Sequence, residues 1–174
     1  MKYAGIKAND TVDGIGISVS FWTQGCPHHC QGCHNPETWS DDGGLNLPES
    51  YCEDVIHLLT KHGIKRNLSI LGGEPLYGNN IEIVNKLIKE VKKHVPEAKI
   101  FIWTGYTYES LIDRHDSNID SILHSIDVLI DGRFELDKRD ITLWLKGSPN
   151  QRVIHVKKTL KAGKIVIVKK GDEL

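Results

Sequence analysis

The chain has 174 residues, which is enough for one compact domain with a hydrophobic core. Hydrophobic residues make up 39% and charged residues 26%, and 22 basic against 23 acidic side chains give a formal charge of -1. This balance argues against nucleic acid or another polyanion as a partner. No apolar run approaches the roughly 20 residues that a membrane span needs, so we expect no membrane association.

Neither end of the sequence predicts targeting. Residues 1–14 lack the apolar stretch of a secretory signal, and the final Gly-Asp-Glu-Leu lacks the lysine of a retention tail. With four cysteines and no signal, we expect a cytoplasmic protein without a disulfide framework.

Strand patterns alternate with helical patterns along the chain. The predicted strands are 15–21, 68–71, 99–103 and 128–131, and the predicted helices are 48–63, 80–93, 108–114 and 119–124. Alternation of this kind implies right-handed crossovers and a mostly parallel sheet. A complete eight-fold barrel typically needs about 250 residues. The sequence therefore predicts an α/β fold, an open and partial (β/α) barrel.

No repeat or linker divides the chain, so we predict a single domain over 1–174. Its core covers about 11–152, and an extension follows over about 153–174. Within the extension, His155 to Lys170 reads as a short C-terminal β-hairpin that turns near Ala162-Gly163. Its lysines are typical of an exposed edge that avoids mispairing.

Four segments with chemical character each follow a predicted strand. They are the cysteine-rich loop after the first strand, Gly72-Gly73-Glu74-Pro75, Thr104-Gly105 and Asp131-Gly132. In a parallel sheet, sites form at the carboxyl edge, where strands end. We therefore expect all four segments to gather at one edge of the sheet.

The cysteine-rich loop, FWTQGCPHHCQGCHNPETW over 21–39, contains Cys26-x3-Cys30-x2-Cys33. A structural zinc site needs four ligands, usually in two separated pairs, and no second pair follows here. His34 is a possible fourth ligand, but it is adjacent to Cys33, and neighbouring side chains rarely reach one tetrahedral ion without strain.

An iron–sulfur cluster is the other thiolate-rich possibility. Four irons ordinarily take four cysteines, so three cysteines leave one iron open for a substrate or cofactor. Cys52 is a possible fourth ligand, but it shares a helical stripe with Val55, Ile56 and Leu59, which is typical of a core residue.

The spacing of Cys26, Cys30 and Cys33 resembles the signature of the radical S-adenosylmethionine (SAM) enzymes, and Gly72-Gly73-Glu74-Pro75 resembles their glycine-rich motif. A simple strand-to-helix turn is the alternative explanation for the glycines. The resemblance implies a radical SAM fold, a 4Fe–4S cluster held by the three cysteines, and SAM bound at the open fourth iron.

A closer similarity is to the anaerobic ribonucleoside-triphosphate reductase activating proteins, and it covers about Thr11 to Arg152. It rests on Gly32-Cys33-His34-Asn35, Thr38-Trp39, Gly73-Glu74-Pro75-Leu76-Tyr77, Trp103-Thr104-Gly105-Tyr106, Asp131-Gly132-Arg133-Phe134 and 147–152. The sequence departs from the group at His34, where tyrosine is usual, and at Ile15, Lys146 and Pro149. No departure affects a cysteine of the motif.

The resemblance implies a glycyl-radical activase. An electron from a flavodoxin- or ferredoxin-like donor reduces the cluster, SAM is cleaved to a 5′-deoxyadenosyl radical, and this radical takes hydrogen from a glycine of the reductase. By the same resemblance, Gly32 and His34 contact the adenine, and Gly72, Gly73 and Glu74 hold the methionyl end. Thr104 and Asp131 are further candidates for SAM contacts, although Asp131 fits a turn-capping role equally well.

Two alternatives remain at this point. One is a radical SAM enzyme that acts on another protein or on a small molecule. The other is a zinc-stabilised binding module that uses Cys26, Cys30, Cys33 and a histidine. The glycine-rich motif and the expected convergence of strand ends argue against the zinc module, which needs neither.

Overall fold

The computed structural model describes residues 1–174 and contains one seven-stranded sheet with five α-helices. In chain order the elements are β1 (Lys2–Asp10), β2 (Ser18–Thr23), β3 (Leu45–Asn46), α1 (Tyr51–Thr60), β4 (Asn67–Gly72), α2 (Asn80–His94), β5 (Ile100–Trp103), α3 (Tyr108–Ile112), α4 (Ser117–Ser125), β6 (Val128–Asp131), β7 (Arg152–His155) and α5 (Val156–Ala162). No helix is long and apolar enough to cross a membrane.

The strand order is β3-β1-β2-β4-β5-β6-β7. The four central strands, β2, β4, β5 and β6, are parallel, whereas β1, β3 and β7 pair antiparallel at the two sides. The sheet does not close on itself. The predicted α/β class and the open sheet with a parallel centre are therefore confirmed.

The main core lies between the sheet and the helices. It contains 26 buried residues, among them the α1 stripe with Cys52, Val55 and Leu59. Alternation along the strands separates the two faces, since Ile100 and Ile102 belong to this core while Phe101 belongs to a second cluster of five residues. Loops and the C-terminal segment cover that second face, because partly buried Ile15, Leu145 and Leu174 pack on it.

The predicted C-terminal β-hairpin is wrong. Residues 156–162 form α5, which ends at Gly163 in a left-handed conformation with φ +64°, and the strand before it, β7, pairs with β6. The chain then returns along β7, where the Val168 amide donates to the Val153 carbonyl at 2.8 Å. The helix forms because Val156 and Thr159, three residues apart, are both buried.

The predicted first strand begins three residues and ends two residues too early. The sequence predicts 15–21, whereas β2 spans Ser18–Thr23 and residues 11–17 form a bent segment after β1. Gly14 and Gly16 in this segment have φ of +118° and +72°, which an extended strand does not accommodate. The antiparallel strand β1 is absent from the sequence prediction altogether.

Candidate functional site

The cysteine loop leaves the carboxyl end of β2 and returns to the same place. The Gly25 amide donates to the Thr38 carbonyl at 2.9 Å, and the Cys26 amide donates to the Trp39 carbonyl at 3.0 Å. Inside the loop, the Cys33 amide donates to the Cys30 carbonyl at 3.0 Å. The loop therefore has a fixed base, and its three cysteines lie on the arc between.

The three cysteines are partly buried free thiols. Burial raises the pKa of Cys26 despite hydrogen bonds from the amides of His28 and His29, which oppose the shift. Burial also raises the pKa of Cys30, although the amide of Phe134 opposes the shift. The Asn35 amide lies 3.4 Å from the Cys33 Sγ and donates to it. Each thiol thus has a backbone N–H nearby.

This donor set fits an iron–sulfur cluster better than a single ion. No three His, Cys, Asp or Glu side chains converge closely enough to hold one metal ion. In a 4Fe–4S cluster each cysteine binds a different iron, so the sulfurs do not have to meet at one point. Hydrogen bonds to the sulfurs are the usual surroundings of such clusters. The zinc module lacks a converging ligand set.

The chain's own packing requires the two glycines at the end of β4, Gly72 and Gly73. A Cβ on Gly73 would lie 2.5 Å from the Gly25 carbonyl oxygen, and one on Gly72, whose φ is +107°, would lie 2.7 Å from the Thr23 oxygen. The Glu74 amide also donates to the Gly25 carbonyl at 2.7 Å. The end of β4 therefore lies directly against the base of the cysteine loop, which a side chain at either glycine would prevent.

The Glu74 carboxylate is buried and accepts four hydrogen bonds. Oε1 accepts from the Leu76 amide at 2.9 Å and from the Thr104 hydroxyl at 2.8 Å. Oε2 accepts from the Gly105 amide at 2.7 Å and faces His28 Nε2 at 3.0 Å. The side chain thus connects β4, β5 and the cysteine loop, and its oxygens are already engaged within the protein.

The four predicted strand-end segments line one cavity of about 200 Å³ at the carboxyl edge of the sheet. Its lining includes Cys26, Cys30, Cys33, Gly72, Gly73, Glu74, Thr104, Gly105 and Gly132. The expected convergence of four strand-end segments is therefore confirmed. In addition, His28 and Trp39 line this cavity, and the buried atoms His28 Nδ1 and Trp39 Nε1 have no hydrogen-bond partner. Such atoms suit a polar group bound beside them.

Gly32 and His34 lie on the outer side of the cysteine loop. Gly32 packs against Leu136, since a Cβ there would lie 2.7 Å from its Cδ1. The His34 ring contacts Phe134 edge-on, with 6.2 Å between centroids. His34 and Cys33 also line a second cavity of about 440 Å³, together with Trp103 and Phe134. Since Cys33, Trp103 and Phe134 line both cavities, the two are adjacent.

Asp131 does not line either cavity. Its buried carboxylate accepts from Arg152 Nε at 2.9 Å, from Arg152 Nη2, and from the Tyr108 amide at 2.8 Å. Arg152 also binds Glu109 through two hydrogen bonds, which lower the pKa of the Glu109 carboxyl. The contact with Tyr108 supports the N-terminus of α3, which is a different role from capping the turn before Gly132.

Sequence reasoning gave His28 and Phe134 no specific role at the site, whereas it expected Trp39, beside the cysteine loop, to pack over a bound cluster. The position of His28 between two cysteines was the available signal, but its partner Glu74 is 46 residues away in the sequence. Phe134 contributes a backbone amide, for which no sequence pattern exists. Cys52, by contrast, is 3% exposed within the main core, and the prediction of a core residue is confirmed.

Comparison with known proteins identifies the family. The profile of the 4Fe-4S single cluster domain family matches residues 12–154. The anaerobic ribonucleoside-triphosphate reductase-activating protein of Pasteurella multocida is 38% identical over 87% of this chain and 95% of its own length. The proteins of that name from phage T4 and Escherichia coli K12 are 35% and 33% identical, over 88% and 90% of this chain and 93% and 100% of their own lengths. The chain therefore belongs to the 4Fe-4S single cluster domain family and to the anaerobic ribonucleoside-triphosphate reductase-activating proteins.

Proposed function

We propose that this protein is a radical SAM activase that generates a glycyl radical on an anaerobic ribonucleoside-triphosphate reductase. One observation carries the proposal: three free cysteines and the Gly72–Glu74 and Thr104-Gly105 segments line a single cavity at the carboxyl edge of the parallel strands. The reductase is the target that the relatives' names give. The open sheet is accordingly the partial barrel of the radical SAM enzymes.

Cys26, Cys30 and Cys33 hold a 4Fe–4S cluster in this proposal. When bound and reduced, the cluster and SAM supply reductive cleavage of the sulfonium and abstraction of a hydrogen atom from glycine. The chain's own contribution is to supply three thiolates and backbone N–H groups beside them. Because burial raises the pKa of two of these thiols, loading of iron must displace their protons.

The SAM-binding residues lie on the strand ends beside the thiols. Backbone groups of Gly72 and Gly73 line the cavity, and we assign them to the methionyl end. The Glu74 carboxylate supports them from behind, because its four hydrogen bonds leave it little capacity for a ligand. The second cavity, with His34, Trp103 and Phe134, offers the aromatic surface that an adenine needs.

The partner and the electron donor complete the proposal. The donor is a flavodoxin- or ferredoxin-like protein, since the cluster needs one electron for each cleavage. The reductase must bring its glycine to the mouth of the two adjacent cavities. Val12 and Ile141, which are 75% and 84% exposed, both line the second cavity and give this mouth an apolar rim.

Anaerobic reconstitution with iron and sulfide tests the proposal. We expect a brown protein with about four irons per chain that cleaves SAM when dithionite is added. Cys52→Ala serves as the matched control, since Cys52 is a cysteine of the core rather than of the cavity. A colourless protein that holds one zinc ion would contradict the proposal.

A further inference from the structure

The cysteine loop is anchored at its base, but the arc between Cys26 and Cys30, residues 27–29, has no backbone–backbone hydrogen bond of its own. The His29 ring stacks on Trp39 with 4.8 Å between centroids, but Trp39 belongs to the base of the same loop. A side-chain contact with another part of the fold is needed to fix this arc.

His28 provides that contact. Its side chain is 4% exposed, and its Nε2 lies 3.0 Å from Oε2 of Glu74, which is 1% exposed. A buried carboxylate that already accepts from two amides and a hydroxyl is an acceptor, so Nε2 carries the proton and donates. Charge-assisted hydrogen bonds of this kind are among the stronger ones in proteins.

The space around the His28 ring is shaped to hold it. A Cβ on Gly105 would lie 2.3 Å from His28 Cδ2, so the ring rests directly on the backbone after β5. The His28 ring also contacts the Tyr106 ring edge-on, with 4.4 Å between centroids. The guanidinium of Arg114 lies over the Tyr106 ring, with its Cζ 3.8 Å from the ring centroid. These contacts hold the His28 ring in one position, and the hydrogen bond to Glu74 defines its orientation.

We propose that His28 is a positioning residue that fixes the Cys26–Cys30 arc to the ends of β4 and β5 and thereby retains the cluster's iron. The inference rests on the proposed function, because it concerns the same cavity. The His28–Glu74 pair sets the position of the Cys26–Cys30 arc relative to Thr104, whose hydroxyl also donates to the Glu74 carboxylate. Without the pair, the arc between the two cysteines is free to move.

Two variants at position 28, whose side chains carry the same amide group but differ in length, test the proposal. Gln at position 28 places an N–H where Nε2 lies and restores the bond, whereas the side chain of Asn is one methylene too short. We measure the rate of iron release from the anaerobic holoprotein to a ferrous chelator. His28→Asn should release iron about tenfold faster than wild type, and His28→Gln should stay within about threefold.

Two controls separate this role from general stability. Asn85→Ala removes partly buried hydrogen bonds to Asn118 and Ser121 between α2 and α4, outside the site, and should lower the thermal midpoint without faster iron release. The double variant His28→Asn/Glu74→Gln should release iron no faster than Glu74→Gln alone, because both substitutions break the same His28–Glu74 contact.

The iron-release rates distinguish a failure of the positioning role from a failure of the proposed function. Wild-type release from His28→Asn, release from His28→Gln as fast as from His28→Asn, or rates that follow thermal midpoints across all variants would overturn the positioning role while iron binding stands. Failure of the wild-type chain to take up iron would overturn the proposed function, and the role of His28 with it.

Discussion

Individual residues in this site divide into those that face a ligand and those that hold the others in place. Glu74 illustrates the difference, because its motif predicts a ligand contact while its carboxylate is buried and accepts four internal hydrogen bonds. The cysteine spacing could be read from the sequence since it is local. The pairing of His28 with Glu74 could not, because it joins residues 46 positions apart.

The four cysteines give a direct prediction at this scale. Cys26→Ala should abolish SAM cleavage and lower iron content, because it removes one of the three thiols to which we assign the cluster. Cys52→Ala should retain cleavage and cost about 1 kcal/mol of unfolding free energy, since Cys52 only fills the core. Iron analysis, a SAM-cleavage assay and urea denaturation check both. Loss of the cluster in Cys52→Ala would contradict the assignment.

The lowered pKa of the Asp10 carboxyl makes the free energy of unfolding depend on pH. Burial raises its pKa, but hydrogen bonds from Val12, Ser20, Asp13 and Lys7 outweigh this and lower the pKa from 3.8 to about 2. Because the folded state favours the ionised form, the stabilisation is complete above pH 4 and is lost as the pH falls towards 2. Its size at pH 7 is about 2 kcal/mol.

Asp10→Asn should therefore lower the unfolding free energy by about 2 kcal/mol at pH 7 and by less at pH 3. Urea denaturation at the two pH values measures this difference. Asp113→Asn, at an exposed position, should change stability little at either pH. A loss for Asp10→Asn that is the same at both pH values would show that the carboxyl's charge is not the cause.

The elements were predictable where their patterns are local and strong. The central strands β4, β5 and β6 are short apolar runs, and α2 has a clear apolar face, so sequence and structure agree within one or two residues. Strand β1 was missed because its residues are mostly half-buried, without clear alternation between apolar and polar positions. Helix α5 was missed because its seven residues precede the β-branched run Ile165 to Val168.

Arg152 connects three elements and gives a prediction at this scale. It joins β7 to Asp131 at the end of β6 and to Glu109 on α3, and the two carboxylates raise its own pKa. Arg152→Ala leaves the buried Asp131 carboxylate without its cation and should cost about 2–3 kcal/mol of unfolding free energy.

Glu109→Ala is the matched control. Glu109 is more than half exposed, so its loss should cost less than about 1 kcal/mol. Urea denaturation of the two variants measures both values. Equal losses would mean that Arg152 stabilises the protein through its exposed partner rather than through Asp131.

At the scale of the whole molecule, the cavities, the cysteine loop and an apolar rim share one edge of the sheet. Ile141 is 84% exposed on this rim, and Val12, which is 75% exposed, lines the same cavity. Ile141→Glu should reduce glycyl radical yield at least about tenfold while SAM cleavage stays within about twofold, because only docking of the reductase is disturbed.

Ile64→Glu tests whether position matters. Ile64 is 43% exposed and precedes β4, at the opposite edge of the sheet, so this charge should leave radical yield unchanged. Paired assays of SAM cleavage and of radical formation on the reductase decide the matter. Equal effects of the two glutamates would place the docking surface elsewhere.

The most direct test of the activase is electron paramagnetic resonance of the reductase after incubation with the reconstituted protein, SAM and a reductant. The account predicts a glycyl radical signal on the reductase that requires SAM and disappears with Cys26→Ala, Cys30→Ala or Cys33→Ala. Cleavage of SAM without any radical on the reductase would contradict it.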